Sequence, residues 1–390
     1  MKIGLQGLVK LGELRPQNLI EEPFGCANHD RVAPLPIIAI GPASGIGAES
    51  LPKPAPKPTV GDRLAQVLRA GDADNRQLRW FGLVMLAFAL LFPWFAGPFY
   101  MRLAIEALLL GAVALSVDIL LGYAGLLSLG QAAYFGLAAY VSSLMYLYVS
   151  QSFWLVALAV SATVAVFSLV LGAIAIRAKG VYFALITFGA AEILSKIAHN
   201  TRAIGGSDGL IGIPVPSIPL LPGVAIDLHS NFAFYNAVLA GLVLIYLGTR
   251  RILNTGFGSL LRAIRENSSR VPYLGYNPFW YKLLTYLLAA QVAAFGGLIY
   301  PLLRGFVAPN LFGFEVSTKA VVVSLVGGIG SLIGPLVGSV FITFLESVVG
   351  TYTERHLLVL GLIFVVFVLF LPDGLVGLMR HVSERSRRPA

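Results

Sequence analysis

The sequence predicts an all-α membrane protein with about ten transmembrane helices, and three observations carry that prediction. First, 57% of the 390 residues are apolar and only 12% are charged, against about 25% in an ordinary globular chain. With a mean hydropathy of +0.81, too few polar groups remain to cover a soluble core. Second, from Trp80 to Leu371 the apolar residues fall in runs close to the roughly 20 that cross a bilayer as helix. Third, the net charge of +9 is placed along the chain as a topology signal rather than as a nucleic-acid surface.

Residues 1–59 differ from the rest. They hold nine of the 22 prolines and end in Leu51-Pro-Lys-Pro-Ala-Pro-Lys-Pro-Thr59, a composition that favours extended polyproline backbone. Gln6, Lys10 and Glu13 interrupt the apolar run after Lys2, so no secretory signal is visible. The stretch reads as a disordered extension without chemistry. A second reading starts synthesis near Val60 from a non-AUG codon, and the intact mass of the native protein decides between them. Residues 60–79 form a cytoplasmic lead-in. There Leu64, Val67 and Leu68 recur at helical spacing with Arg63 and Arg69 opposite, as in a short helix lying on the membrane surface.

The transmembrane domain, 80–380, has spans expected at about 80–99, 103–121, 131–149, 153–176, 181–199, 232–249, 279–303, 316–333, 335–350 and 357–371. The eighth and ninth are glycine-rich, and either is a candidate to re-enter rather than cross. With the N-terminus inside, sixteen Lys and Arg fall on the inner side, including Arg177, Lys179, Arg250, Arg251 and the basic tail 381–390. Only six (Arg102, Lys196, Arg202, Arg304, Lys319, Arg355) fall outside, and the other six precede Val60. That imbalance places both termini in the cytoplasm. Two connections are too long for simple turns: 200–231 outside and 250–278 in the cytoplasm. Function concentrates in such loops.

Several chemistries are absent from the sequence. The single cysteine, Cys26, excludes an internal disulfide, and five scattered histidines show no metal-ligand spacing. No Gly-x-x-x-x-Gly-Lys-Ser/Thr phosphate loop occurs, nor a Gly-x-Ser-x-Gly elbow, nor a shared pair of carboxylates. The chain is therefore not expected to be an enzyme or to bind a metal or cofactor. ATP-driven transport through it needs a separate ATPase.

The most informative segment is Thr255-Gly-Phe-Gly-Ser-Leu-Leu-Arg-Ala-Ile-Arg-Glu-Asn267. Leu260, Leu261, Ala263 and Ile264 form one face of a short helix, with Arg262, Arg265 and Glu266 largely opposite, and Pro272 and Gly275 stop it. So short a helix is marginal alone in water and must pack on something: the membrane surface, or a groove on a partner as a coupling helix.

The run Leu261–Asn267, then Leu274-Gly-Tyr-Asn277 and Tyr281-Lys-Leu-Leu284, resembles the ATPase-contacting loop of bacterial ABC-importer permeases for branched-chain amino acids, the LivM type above all. Gly122-Tyr-Ala-Gly-Leu-Leu-Ser-Leu-Gly130, Gly180-Val-Tyr-Phe-Ala184, Gly205-Gly-Ser-Asp-Gly-Leu210, Gly327-Gly-Ile-Gly-Ser-Leu-Ile-Gly-Pro335 and Pro372-Asp-Gly-Leu375 agree in the same order. The resemblance covers roughly 80–380. At the first glycine-rich turn the family usually reads Gly-Gln-Leu-Ser-Leu-Gly-His; here Leu126 replaces the Gln and Gln131 the His. Before Leu274 the usual Ala- and Glu-rich stretch is Ser268-Ser-Arg-Val-Pro-Tyr273. The first departure bears on substrate identity, the second on which ATPase is contacted.

The resemblance implies an importer subunit of the bacterial inner membrane for branched-chain or related amino acids, with the LivH/LivM permease fold. It implies a second, LivH-type permease, two cytoplasmic ATPases using ATP and Mg, and an extracytoplasmic solute-binding protein. Leu261, Arg262, Ile264, Arg265, Glu266, Asn267 and Gly275 would form the ATPase-coupling loop. Urea or short amides are the rival substrates, and an ion-gradient-driven transporter using Glu106 or Asp118 is the rival class.

Gly122, Gly125, Ser128 and Gly130 form a broken segment at membrane depth, tolerated only where it is buried in protein or lines a watery path. With Gln131, which offers a donor and an acceptor to a zwitterion or amide, they are translocation-path candidates; close helix packing through small residues is the alternative. Residues 327–335 repeat the Gly-x-x-Ser-Leu texture, which hints at an internal repeat. Glu192/Lys196 and Glu315/Lys319 are spaced for helical ion pairs, whereas Glu106, Asp118 and Glu346 have no assigned role. Gly205, Gly206, Ser207, Asp208 and Gly209 head a proline-rich outer loop suited to receive the binding protein or, equally, to act as a lid with no partner.

Overall fold

The computed structural model describes residues 82, 84–216, 218–221, 224–226, 230–352, 356–370 and 374–377. The Pro-rich extension, the amphipathic lead-in and the basic tail lie outside these residues.

Eleven helices run in order: α1 Val84–Phe95, α2 Pro98–Asp118, α3 Gln131–Tyr148, α4 Phe153–Ala175, α5 Val181–Asn200, α6 Asn231–Leu253, α7 Gly256–Asn267, α8 Pro278–Arg304, α9 Phe314–Gly327, α10 Gly334–Tyr352 and α11 His356–Phe370. Each of the ten expected spans coincides with one helix, and α7 is the helix of the long 250–278 connection. Starts and stops follow local chemistry. Pro98 and Pro278 open α2 and α8 at positions where the missing N–H costs nothing. Asn277 Oδ1 accepts the N–H of Phe279 at 3.0 Å, and Gly305 at φ +72° ends α8.

Among the described residues, six helices are long and apolar enough to cross a membrane: α2 with the π-helical turn Ile119–Ala124 that extends it, α4, α5, α6, α8 and α10. The expected spans at α1, α3, α9 and α11 are not among these six, and the eighth is short. α9 has only 14 residues, about 21 Å of rise against a hydrocarbon core of about 30 Å. Its chain turns at Gly328 and comes back as α10.

Helices α2 and α8 form the centre. α8 packs against α3, α2 and α4, and α2 packs also against α10, α6 and α9. In lipid, such packing rests on close approach and hydrogen bonds rather than on expulsion of water. Gly297 illustrates it: a Cβ there would stand 2.1 Å from the carbonyl oxygen of Phe135, so only glycine lets α8 touch α3. Beside that crossing, the Tyr134 and Tyr286 rings meet edge-to-face at 5.6 Å, and Phe183 meets Tyr286 at 5.9 Å.

Short strands occur only in connections. β1 (Leu210–Ile211) pairs antiparallel with β4 (Phe306–Val307), Leu210 opposite Val307; β2 (Ile218–Leu221) pairs with β3 (Val224–Ile226). Because α6 separates them, α7 and the loop after α5 lie at opposite ends of the bundle.

Candidate functional site

At the α7 end, Thr255 caps the helix, its Oγ1 accepting the N–H of Phe257 at 3.3 Å. The 3.6-residue pattern then sorts the side chains. Leu261 and Ile264 are buried, while Arg262, Glu266 and Asn267 are exposed. Asn267 Oδ1 accepts the N–H groups of Ser269 and Arg270, which closes the helix before Pro272. Gly275, at φ +82°, ends the turn Val271–Leu274.

α7 is seated on the first glycine-rich break. Arg265 Nη1 donates to the carbonyl of Gly122, and the Arg265 stem lies against Gly125, where a Cβ would come within 2.9 Å of Cγ. Gly125 itself takes φ +68°, a left-handed conformation that stops the π turn. Two groups that the sequence offers for separate roles, the coupling loop and the candidate path, are thus in contact.

Most of the rest of the break is held by neighbouring helices. Thr187 Oγ1 (α5) accepts the N–H of Leu129 at 3.3 Å, and Ser317 Oγ (α9) accepts that of Ala132 at 3.2 Å. A Cβ on Gly130 would stand 2.5 Å from the Thr187 carbonyl. Gln131 is fully buried: its Oε1 accepts from Ser116 at 3.1 Å and its Nε2 donates to Ser128 at 3.5 Å. Ser128 Oγ also accepts the N–H of Gly130. Gly122, Ser128, Gly130 and Gln131 are held by neighbours here, as close packing through small residues requires; Gly125 and Leu127 are exposed.

Asp118, without a role from sequence, is fully buried and fixes the second break. Its Oδ1 accepts the N–H of Gly330 at 2.5 Å and its Oδ2 that of Leu332 at 3.0 Å. Gly122 lies directly against Gly330, with 2.7 Å from a built Cβ to the Gly330 Cα. The two glycine-rich breaks therefore touch at Gly122 and Gly330. Gly374, of the Pro372-Asp-Gly-Leu375 motif, joins them, its built Cβ 2.5 Å from Gly328 N. Sequence reasoning missed Ser116, Thr187 and Ser317 because nothing local marks them.

At the opposite end, Gly205, Gly206 and Gly209 all take positive φ around the tight turn Gly206–Asp208, which presents Ser207 and Asp208 to the outside of the bundle. The Gly305 carbonyl accepts the N–H groups of Gly212 and Ile213 and, with the β1–β4 pair, stitches this loop to the end of α8.

The charged residues pair across helices rather than along them. Arg304 meets Glu106 at 2.7 Å, and Lys319 meets Glu346. The spacing of Glu315 and Lys319 predicts a pair within α9; Lys319 reaches α10 instead. Glu192 and Lys196 form no ion pair. Among the described residues, no group of three or more His, Cys, Asp or Glu is placed to hold a metal.

An all-helical, multi-pass membrane bundle, with two glycine breaks packed together and an amphipathic helix seated on one of them, defines a membrane-spanning transport permease. Residues 99–371 match the family model described as the permease component of branched-chain amino acid transport systems, and the chain belongs to that family. It is 26% identical over 333 residues to the high-affinity branched-chain amino acid transport system permease protein LivM of Salmonella typhimurium, covering 80% of this chain and 78% of that one. The Escherichia coli K12 LivM is 25% identical over the same shares. The E. coli K12 LivH permease is 29% identical over 122 residues, 31% of this chain and 39% of its own. No solved structure matches the chain significantly.

Proposed function

We propose that the chain carries branched-chain or related amino acids inward across the bacterial inner membrane, as one permease subunit of an ATP-driven importer. Both termini and α7 face the cytoplasm in this reading. A LivH-type permease pairs with it, two cytoplasmic ATPases dock at α7, and a solute-binding protein docks at the opposite end. ATP and Mg are used by the ATPases; this chain breaks no substrate bond.

The observation that carries the reading is the seat of α7. Its exposed Arg262 and Glu266 are available to a partner, while Arg265 reaches the carbonyl of Gly122 at the first break. A push on α7 therefore acts directly on the π turn, and through Gly122 on the loop that Asp118 holds. Tyr273, Leu274 and Tyr276 extend the exposed surface beside it. Asp118, bonded to two backbone N–H groups, is occupied as an anchor rather than open as an ion carrier.

Uptake by proteoliposomes holding the natively copurified complex tests this, with leucine and urea each supplied with and without ATP. ATP-dependent leucine uptake is the expected result. ATP-dependent urea uptake would move the substrate to the amide class, and uptake driven only by an ion gradient would overturn the importer reading.

A further inference from the structure

Four charges stand together at the end of the bundle opposite α7, and neither the packing nor the coupling route uses them. Glu106 of α2 pairs with Arg304, the last residue of α8, and Lys319 of α9 pairs with Glu346 of α10. Lys319 and Glu346 are close enough to act electrostatically on Glu106, so the two pairs form one neutral cluster of two cations and two anions. Their side chains are between 29% and 46% exposed. Charged groups that open on hydrocarbon are costly, and within spans they face a bundle interior or a water-filled cavity. Four such groups meeting on one face fit a face toward water better than one toward hydrocarbon.

Two further observations show what it opens on. Arg304 leads directly into Gly305, whose carbonyl accepts the N–H groups of Gly212 and Ile213, and into β4, which pairs with β1. The cluster is thus attached to the loop bearing Ser207 and Asp208, which are exposed at this end. In the same two helices, α9 and α10, the hydroxyl oxygens of Thr318 and Thr343 are buried without a hydrogen-bond partner. Thr318 adjoins Lys319, and Thr343 lies one turn from Glu346. Buried hydroxyls rarely stay unpaired unless water or a ligand serves them.

From this juxtaposition we infer that Glu106, Arg304, Lys319 and Glu346 are a receiving station for a zwitterionic solute, an amino acid whose ammonium exchanges onto the glutamates and whose carboxylate exchanges onto Arg304 and Lys319. A zwitterion entering a neutral cluster of both signs leaves no charge unpaired at any step. A simple cation or anion would strand one, which is the expensive outcome for a partly buried pair. The inference rests on the importer reading and adds to it the place and chemical class of the first solute contact.

The test uses the whole complex in proteoliposomes. Cys26 is the only cysteine, so Cys26→Ser supplies a silent background for Glu346→Cys and Lys319→Cys. ATP-dependent leucine uptake by the Cys26→Ser complex, measured first, checks the importer reading on its own. A membrane-impermeant methanethiosulfonate reagent is expected to modify both cysteines, at least fivefold more slowly with leucine-loaded binding protein present. Phe344→Cys, on the apolar face of α10 and 56% exposed, is expected not to react. Cysteines that react in the isolated permease but not in the complex would mean the second permease covers the cluster. Reaction at a rate indifferent to leucine would mean a wet surface without a solute site. Either overturns the proposal. Where a cysteine variant does not assemble, Lys319→Gln with Glu346→Gln removes the pair without leaving a lone charge. Leucine uptake is then expected to fall at least tenfold with ATP hydrolysis by the complex retained, and uptake equal to the parent would overturn the station.

Discussion

Asp118 and Gly330 stand 212 residues apart in the chain and 2.5 Å apart in space, the carboxylate Oδ1 accepting the glycine N–H. The second oxygen takes the N–H of Leu332. Non-helical backbone at membrane depth must find its acceptors inside the protein, and for the turn after α9 a side chain of α2 supplies them.

Replacing Asp118 with Ala should strand two buried donors, each at a cost of about 1–3 kcal/mol. The melting temperature of the solubilised complex is expected to fall by several degrees. Asp118→Asn keeps one acceptor oxygen and is expected to lose roughly half as much. Equal stability of parent and Ala variant would mean the two N–H groups find other partners.

Gly122→Ala should be far worse than Gly97→Ala. A methyl on Gly122 meets Gly330 backbone at 2.7 Å, an overpacking costing about 1–3 kcal/mol at the point where the two breaks touch. Gly97 has nothing within 4 Å and an ordinary φ of −69°. Leucine uptake and thermal stability of the two variants check the contrast, and Gly97→Ala is expected to match the parent.

Arg265→Ala removes the link from α7 to the Gly122 carbonyl without touching the buried face of Leu261 and Ile264. The chain should fold and insert normally while leucine uptake falls at least tenfold. Glu266→Ala, on the exposed side, is expected to weaken copurification of the ATPase. Unchanged transport in the double variant would count heavily against coupling through this helix.

Thr255→Ala removes the cap of α7, worth about 1 kcal/mol. Amide exchange across 256–267 is expected to quicken about fivefold while α6 and α8 are unaffected. Mass-spectrometric hydrogen exchange reads this directly.

Gly209 takes φ +77°, and a Cβ there would stand 2.0 Å from the Val307 carbonyl. Gly209→Ala should pull β1 from β4 and lower binding-protein-stimulated ATP hydrolysis, leaving the basal rate intact. Loss of both rates together would place the defect in assembly instead.

Much of this was legible in the chain because its signals are local. Apolar runs of bilayer length located the helices, six of which are long and apolar enough to cross among the described residues, and the alternation around Leu261, Arg262, Ile264 and Glu266 described α7 almost to the residue. Contacts between distant segments left no such mark. The Glu315/Lys319 spacing is a sound helical rule, yet Lys319 prefers Glu346 because α9 and α10 lie side by side. Asp118 carries no cap motif, since the N–H groups it serves belong to another helix's end. The two-residue strands β1 and β4 are too short for any alternation to show. The repeated Gly-x-x-Ser-Leu texture was visible, but that the two breaks meet at Gly122 and Gly330 is a tertiary fact.

The separation between Asp118 and Gly330 also sets a clock. A ribosome adding about 5–20 residues per second reaches Gly330 on the order of 10–40 s after Asp118. For that interval α2 holds a carboxylate whose two acceptor sites await backbone not yet made. The inner end of α2 therefore completes its hydrogen bonding only after α9 has been made, although α2 itself is among the first helices of the chain.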